Sequence, residues 1–188
     1  MIWNFDLNEP VLYLTFDDGP NPSTTSYILG LLDKYRIKAT FFCTGKNIEK
    51  HPGLFQQIKD SGNSTGNHTF SHLSGWKTSF KEYTDDFKRC ETLCKTSLFR
   101  PPYGRMTFSQ AEEIGKTHKI IMWTVLTGDF DSGRTPEKCL STAKKYTKNG
   151  SIIVFHDSEK ARERLLFALP GFLDHSIENG FRFEKIST

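Results

Sequence analysis

No run of about 18 apolar residues occurs in the sequence, which excludes a membrane-spanning helix. The opening stretch MIWNFDLNEP also lacks the basic head and apolar core of an export signal. A cytoplasmic location is therefore the default expectation, unless a leader has been removed. Charge is plentiful but nowhere massed: 25 basic and 22 acidic side chains leave a net charge of +3, with no basic run of the kind that tracks a nucleic-acid backbone. Neither nucleic acid nor membrane is expected as a partner, no partner protein is indicated, and a monomer is the default. Cysteine is scarce. The four, Cys43, Cys90, Cys94 and Cys139, form no CxxC pair, and a core of this size does not need disulfides, so reduced thiols are expected. Cys90 and Cys94 would share one helix face, a spacing that usually reflects packing. Repeats, linkers and low-complexity segments are absent too. With 188 residues, 36% of them hydrophobic, the chain suits one domain, residues 1–188, with a sizeable core.

Short β-rich runs alternate with helical patterns along the chain. Residues 11–16 read as a strand, STTSYILGLLDKY as a helix opened by capping hydroxyls, and 38–43 as a buried strand. HPGLFQQIKDSG is a helix ending at Gly62, and 63–68 a short strand. Helix 79–96, strand 98–100, helix 109–118 and the apolar strand KIIMWTVL follow. A helix from Thr135 stops at Asn149-Gly150, and SIIVFHD reads as a fully buried strand. Helical segments 159–169 and 172–178, broken near Pro170, and a last strand FRFEKI complete the chain. Such alternation predicts an α/β fold with a mostly parallel sheet, either open or closed into a barrel.

Reactive residue types fall at one place in this rhythm. TFDDGP, NHTFSH, RPPYG, TGDFD and FHD each lie just after an expected strand. In parallel α/β architectures the carboxyl ends of the strands share one face, so five segments far apart in sequence converge there. Singly, each has an ordinary reading. Asp17-Asp18-Gly19 suits a turn beside a helix N-terminus, His68 and His72 suit a surface pair, Arg100 a rigid turn, and His156 a satisfied core. Asp129 and Asp131 suit a glycine-containing loop. Together they are an uncommon set, and the spacing of His68 and His72 on a helical turn would aim both rings at one metal.

These segments, in this order, resemble the polysaccharide deacetylases, the NodB-homology domain of carbohydrate esterase family 4. The resemblance spans residues 11–157. It implies a distorted (β/α) barrel with about seven parallel strands, fewer than the full eight. It also implies a metal-dependent hydrolase that removes N-acetyl groups from N-acetylglucosamine units of chitin-like or peptidoglycan-like saccharides. Asp18, His68 and His72 would hold the metal, with zinc the default and cobalt, nickel or manganese tolerated by a mixed His2Asp set. Asp17 would be the general base, paired with Arg100, which fixes its orientation and stabilises the carboxylate. The backbone N–H of Tyr103, presented by Pro101-Pro102, would hold the oxyanion. His156 would protonate the departing amine, with its ring oriented by Asp129. Val154 would form an apolar wall for the acetyl methyl, and Trp76, Tyr103 and Phe130 offer surfaces for stacking on pyranose rings.

Two positions depart from the family pattern. Leu126 stands where aspartate is common, a departure the sequence does not explain, and Phe130 stands where tryptophan is common, a smaller apolar surface that alters the acetyl pocket or the sugar-stacking wall. Three other readings stay open: an O-acetyl esterase acting on xylan, a catalytically silent saccharide-binding homologue, and a structural metal domain. The last would require a fourth ligand, which the motifs do not supply.

Overall fold

Strand β1 (Val11–Asp17) is buried along its whole length because it runs up the middle of the sheet, and its alternation sorts two cores. Leu12, Leu14 and Phe16 face outward, where Phe16 stacks on Phe41 at 4.9 Å and the helices cover them. Val11 and Tyr13 face inward, packing with Phe42, Leu98, Ile121 and Ile152 to close the floor of the barrel. Thr15 and Asp17 continue the inward row toward the top. Each fully buried Leu or Phe contributes roughly 1.5–3 kcal/mol, so both faces of β1 anchor the fold.

The structure, a computed structural model, describes residues 1–5 and 8–187. After β1 come α1 (Thr25–Tyr35), β2 (Thr40–Cys43), α2 (Gly45–Lys50), α3 (Pro52–Asp60), β3 (Ser64–Asn67), α4 (Phe80–Cys94) and β4 (Leu98–Phe99). Then follow α5 (Phe108–Gly115), β5 (Lys119–Ile120), β6 (Val125–Leu126), α6 (Pro136–Tyr146), β7 (Ile152–His156), α7 (Arg162–Glu178) and β8 (Arg182–Phe183). The sheet order is β5-β4-β3-β2-β1-β7-β6, and every named strand pairing is parallel. These seven strands curl into the expected distorted half-barrel. β8 adds below β2, pairing in parallel with Val11 and Leu12 at the start of β1.

Three local expectations are corrected, and one helix, α2, is added to them. KIIMWTVL is not one strand: β5 and β6 lie at opposite ends of the sheet, and Ile121–Thr124 carries the chain across the gap between them. The N-terminal segment fills that gap. Ile2 bridges Ile121 and Asn4 bridges Ser151, with backbone hydrogen bonds from Ile2 to Ile120 (2.8 Å), Met122 to Ile2 (2.7 Å) and Phe5 to Gly150 (3.0 Å). Helix α2 lacks a clear apolar stripe and is held by burial of Ile48. Helix α7 continues through Pro170, because Leu165, Ala168 and Leu169 before it and Phe172 and Leu173 after it are buried in one contact surface. Finally, His68–His72 is not helical. It is a turn after β3 in which Thr69 (φ 60°) and His72 (φ 59°) adopt left-handed backbone.

All four cysteines are free and buried, as expected of packing thiols. The Cys90 and Cys94 sulfurs lie 3.2 Å apart on α4. No helix among the described residues is long and apolar enough to cross a membrane.

Candidate active site

Five strand ends deliver their side chains to one cavity of about 600 Å3 at the top of the barrel. Asp17, Asp18, His68, His72, Tyr103, Phe130 and His156 all line it.

Asp17 is the last residue of β1 and points inward; Asp18, at φ 81°, turns off the strand and swings its carboxylate toward the histidines. Holding a non-glycine residue there takes local restraint. Asn47 supplies it, donating to the Asp18 carbonyl at 2.7 Å, and the Thr44 N–H donates to the Gly19 carbonyl at 3.0 Å. The His72 and His68 Nε2 atoms lie 3.2 and 3.7 Å from Asp18 Oδ1, and the three ligand atoms all fall within 4.8 Å of one another. His68 is buried, and its Nδ1 lies 2.7 Å from the Arg100 carbonyl, a contact that assigns the proton to Nδ1 and leaves Nε2 as a free donor pair. Burial pushes the His68 pKa down to about 4, so its ring is neutral, as a ligand must be. Burial would raise Asp18, but the close approach of His72 and the positive charge of the surroundings, His156 first, outweigh it and keep Asp18 well below the usual carboxylate range. Asp18 Oδ1 is buried with no hydrogen-bond partner. An orphaned carboxylate oxygen facing two imidazole nitrogens fits a divalent cation, and an Asp/His/His set leaves coordination positions open.

Behind this cluster lies a wholly buried cation. Arg100 donates from Nη1 to Asp17 Oδ1 and to Thr15 Oγ1, both at 2.7 Å, from Nη2 to the Met122 carbonyl at 2.9 Å and from Nε to the Ile121 carbonyl at 3.2 Å. Its guanidinium lies 4.1 Å from the Phe42 ring centroid. Burial pulls the Arg100 pKa down, countered by the charge of Asp17 and its hydrogen bond.

Across the cavity, Asp129 grips His156 twice: Oδ1 lies 2.8 Å from His156 Nδ1, and Oδ2 accepts its backbone N–H at 2.8 Å. Burial would lower His156, but the Asp129 charge and hydrogen bond, helped by Asp18 and Asp17, raise it to about 9. Phe130 packs beside the imidazole at 4.8 Å between centroids. Tyr103, at φ 60°, follows the stiff Pro101-Pro102 turn and sets its ring edge-on against His72 at 4.6 Å.

Two anticipated substrate contacts lie elsewhere. Val154 is fully buried in β7, pairing with Thr15 and Leu126, and is not among the residues lining the cavity. It occupies the inward layer beneath His156, while Leu126, whose substitution had no assigned role, stands on the cavity wall with Phe130 and Trp123. Trp76 is 66% exposed just outside the cavity, fixed by a hydrogen bond from Nε1 to the Met106 carbonyl at 3.1 Å and by the Arg105 guanidinium 5.1 Å from its ring centroid.

Sequence reasoning missed several residues. Arg105 and Lys160 line the cavity, and Arg164 donates from Nε to the Asp129 carbonyl at 2.6 Å, steadying that loop from α7. Asp157 is fully buried; burial raises its pKa to about 7, against the pull of hydrogen bonds from Thr24 and Thr25. Only Asp157, adjoining His156 in VFHD, had a visible signal.

The polysaccharide deacetylase family profile matches residues 5–118. The chain belongs to the polysaccharide deacetylase family. A peptidoglycan-N-acetylglucosamine deacetylase of Bacillus cereus is 32% identical to it over 194 residues, covering 98% of this chain and 90% of that protein. A chitooligosaccharide deacetylase of Azorhizobium caulinodans is 30% identical over 172 residues, covering 87% and 81%. Among solved structures, a peptidoglycan N-acetylglucosamine deacetylase in complex with 4-naphthalen-1-yl-N-oxidanyl-benzamide superposes with a TM-score of 0.93 at 28% identity, covering 98% of this chain and 90% of that one. This polysaccharide deacetylase is thus an enzyme of carbohydrate esterase family 4, with the family's curled parallel sheet.

Proposed function

We propose that the chain hydrolyses the N-acetyl amide of N-acetylglucosamine units in a peptidoglycan-type or chitin-type saccharide, with a divalent metal, zinc by default, held by Asp18, His68 and His72. The observation that carries this reading is the buried, unpartnered Oδ1 of Asp18 facing the Nε2 atoms of both histidines. When bound, the metal would supply Lewis acidity toward the acetyl carbonyl and lower the pKa of a water. The remaining chemistry falls to side chains. Asp17 takes the proton from the attacking water, and Arg100 keeps that carboxylate aimed. The Tyr103 N–H supports the developing oxyanion. His156, protonated near neutrality, gives its proton to the amine nitrogen, which does not leave as an anion. Asp129 steadies the imidazolium through its contact with Nδ1. Leu126 and Phe130 face the acetyl group in the role first assigned to Val154, and Trp76 extends a stacking surface beyond the cavity.

Acetate release tests the reading. Chitin oligosaccharides, peptidoglycan and acetylated xylan are incubated in parallel with metal-stripped protein, zinc-restored protein and zinc-restored Asp17→Asn. Zinc-dependent release from either N-acetylated substrate, lost in the variant, is the expected result. Release from xylan alone would make the enzyme an O-acetyl esterase.

A further inference from the structure

Asp157 directly follows the strand that ends at His156, yet it lines no part of the cavity and is fully buried. Its N–H donates to the Asp17 carbonyl at 2.7 Å. Its carboxylate accepts from Thr24 Oγ1 and, at 2.5 Å, from Thr25 Oγ1, both at the start of α1. Thr25 Oγ1 in turn accepts the Asn21 N–H at 2.7 Å. Gly19 packs so closely that a Cβ there would overlap the carboxylate, with Asp157 Cγ at only 2.9 Å. The turn that carries Asp18 is therefore gripped from two sides, by Thr44 and Asn47 from the β2 end and by Asp157 from the β7 end.

A carboxylate sealed from water is costly even with two hydroxyl donors, and an apolar side chain would fill the same space with no such cost. This one sits where the strand bearing the proposed acid meets the end of β1, which bears the base, and the turn bearing the proposed ligand. Asp18 lies in left-handed backbone, so relaxation of Gly19 toward Asp157 would swing the Asp18 carboxylate away from His68 and His72.

We propose that Asp157 is a positioning residue for the metal site: through Gly19, Thr24 and Thr25 it holds the Asp18 turn in its ligating conformation. The inference rests on the metal reading above. Zinc affinity tests it, measured by competition with a chromophoric chelator on metal-stripped protein, with circular dichroism and urea midpoint as fold controls. Asp157→Ala is expected to weaken zinc binding about tenfold or more, whereas Asp157→Asn, whose amide accepts from one threonine and donates to the other, stays within about threefold of the unaltered protein. A merely structural role would lower the urea midpoint of Asp157→Ala without moving its zinc affinity. Should Asp157→Ala not fold, the near-isosteric Thr24→Val/Thr25→Val pair removes the same contacts and is expected to weaken binding in the same direction. Unchanged zinc affinity in a folded Asp157→Ala or in the threonine pair overturns the inference alone. Absence of zinc binding in the unaltered protein overturns the metal reading and the inference with it.

Discussion

Arg100 Nη1 and Asp17 Oδ1 meet at 2.7 Å inside the barrel, the arginine wholly buried and the aspartate 4% exposed. Removing one partner of such a pair leaves the other charged and unsolvated. Arg100→Met is therefore expected to cost about 3–5 kcal/mol of stability, read as a fall in the urea midpoint. Arg100→Lys keeps the charge but loses the fork that reaches Thr15, Ile121 and Met122, so its loss should be intermediate.

His68 and His72 should separate into two kinds of ligand. His72→Ala removes a partly exposed ring, so zinc affinity falls while the metal-free protein stays within about 0.5 kcal/mol of its original stability. His68→Ala also breaks the contact with the Arg100 carbonyl and empties a buried site. Both its zinc affinity and its metal-free melting temperature should drop.

Stability of the metal-free protein should depend on pH through His156. Its folded pKa of about 9 lies above the ordinary histidine value of 6.5, so the folded state binds the proton more tightly than the unfolded chain. That contribution is fully present below about 6.5 and is lost as pH rises through about 9, a change on the order of 3 kcal/mol. Urea titrations at pH 6 and pH 9.5 would measure it, after subtraction of the same pair for Asp129→Asn. Equal slopes in both proteins would refute the assignment.

Gly104→Ala tests the cavity wall. Its φ is +66°, and an added Cβ would stand 2.7 Å from Trp123 Cη2, so the strain and the clash act together. A loss of about 1–3 kcal/mol is expected. A lowered kcat/KM should accompany it, because Tyr103 and Trp123 both line the site.

The parts legible in sequence were those set by local pattern or by adjacency to a strand end. Val11–Asp17 and Ile152–His156 announce themselves as apolar runs, and the reactive residues immediately after them had only one face to share. The rest depended on partners distant in the chain. KIIMWTVL is uniformly apolar, and nothing in its pattern says that Ile120 and Val125 belong to opposite ends of a sheet. The spacing of His68 and His72 suits a helix equally well; the turn arises because Asn67 Oδ1 caps the Thr69 N–H at 2.9 Å and Asp86 Oδ2 accepts from the Ser71 N–H at 2.8 Å. The resemblance gives Val154 a place on the acetyl wall, but its depth in β7, fully buried beneath His156, depends on how the strands stack and not on the motif. Arg105, Lys160 and Arg164 carry no motif, and their places follow from how the loops fold over the cavity.

The N-terminal segment has a consequence for local opening. In the gap between the two ends of the sheet, the barrel wall is joined by Ile2, Asn4 and Phe5, which reach from Ile121 to Ser151 just ahead of β7, rather than by a continuous ladder, and Trp3 leans on Trp123 at 6.4 Å between centroids. So short a seam is the natural place for sub-global unfolding, well below the free energy that opens β1. Amide exchange should begin at Ile2 and Met122, and each opening would release Trp123 from one wall of the cavity before any catalytic side chain loses its own strand.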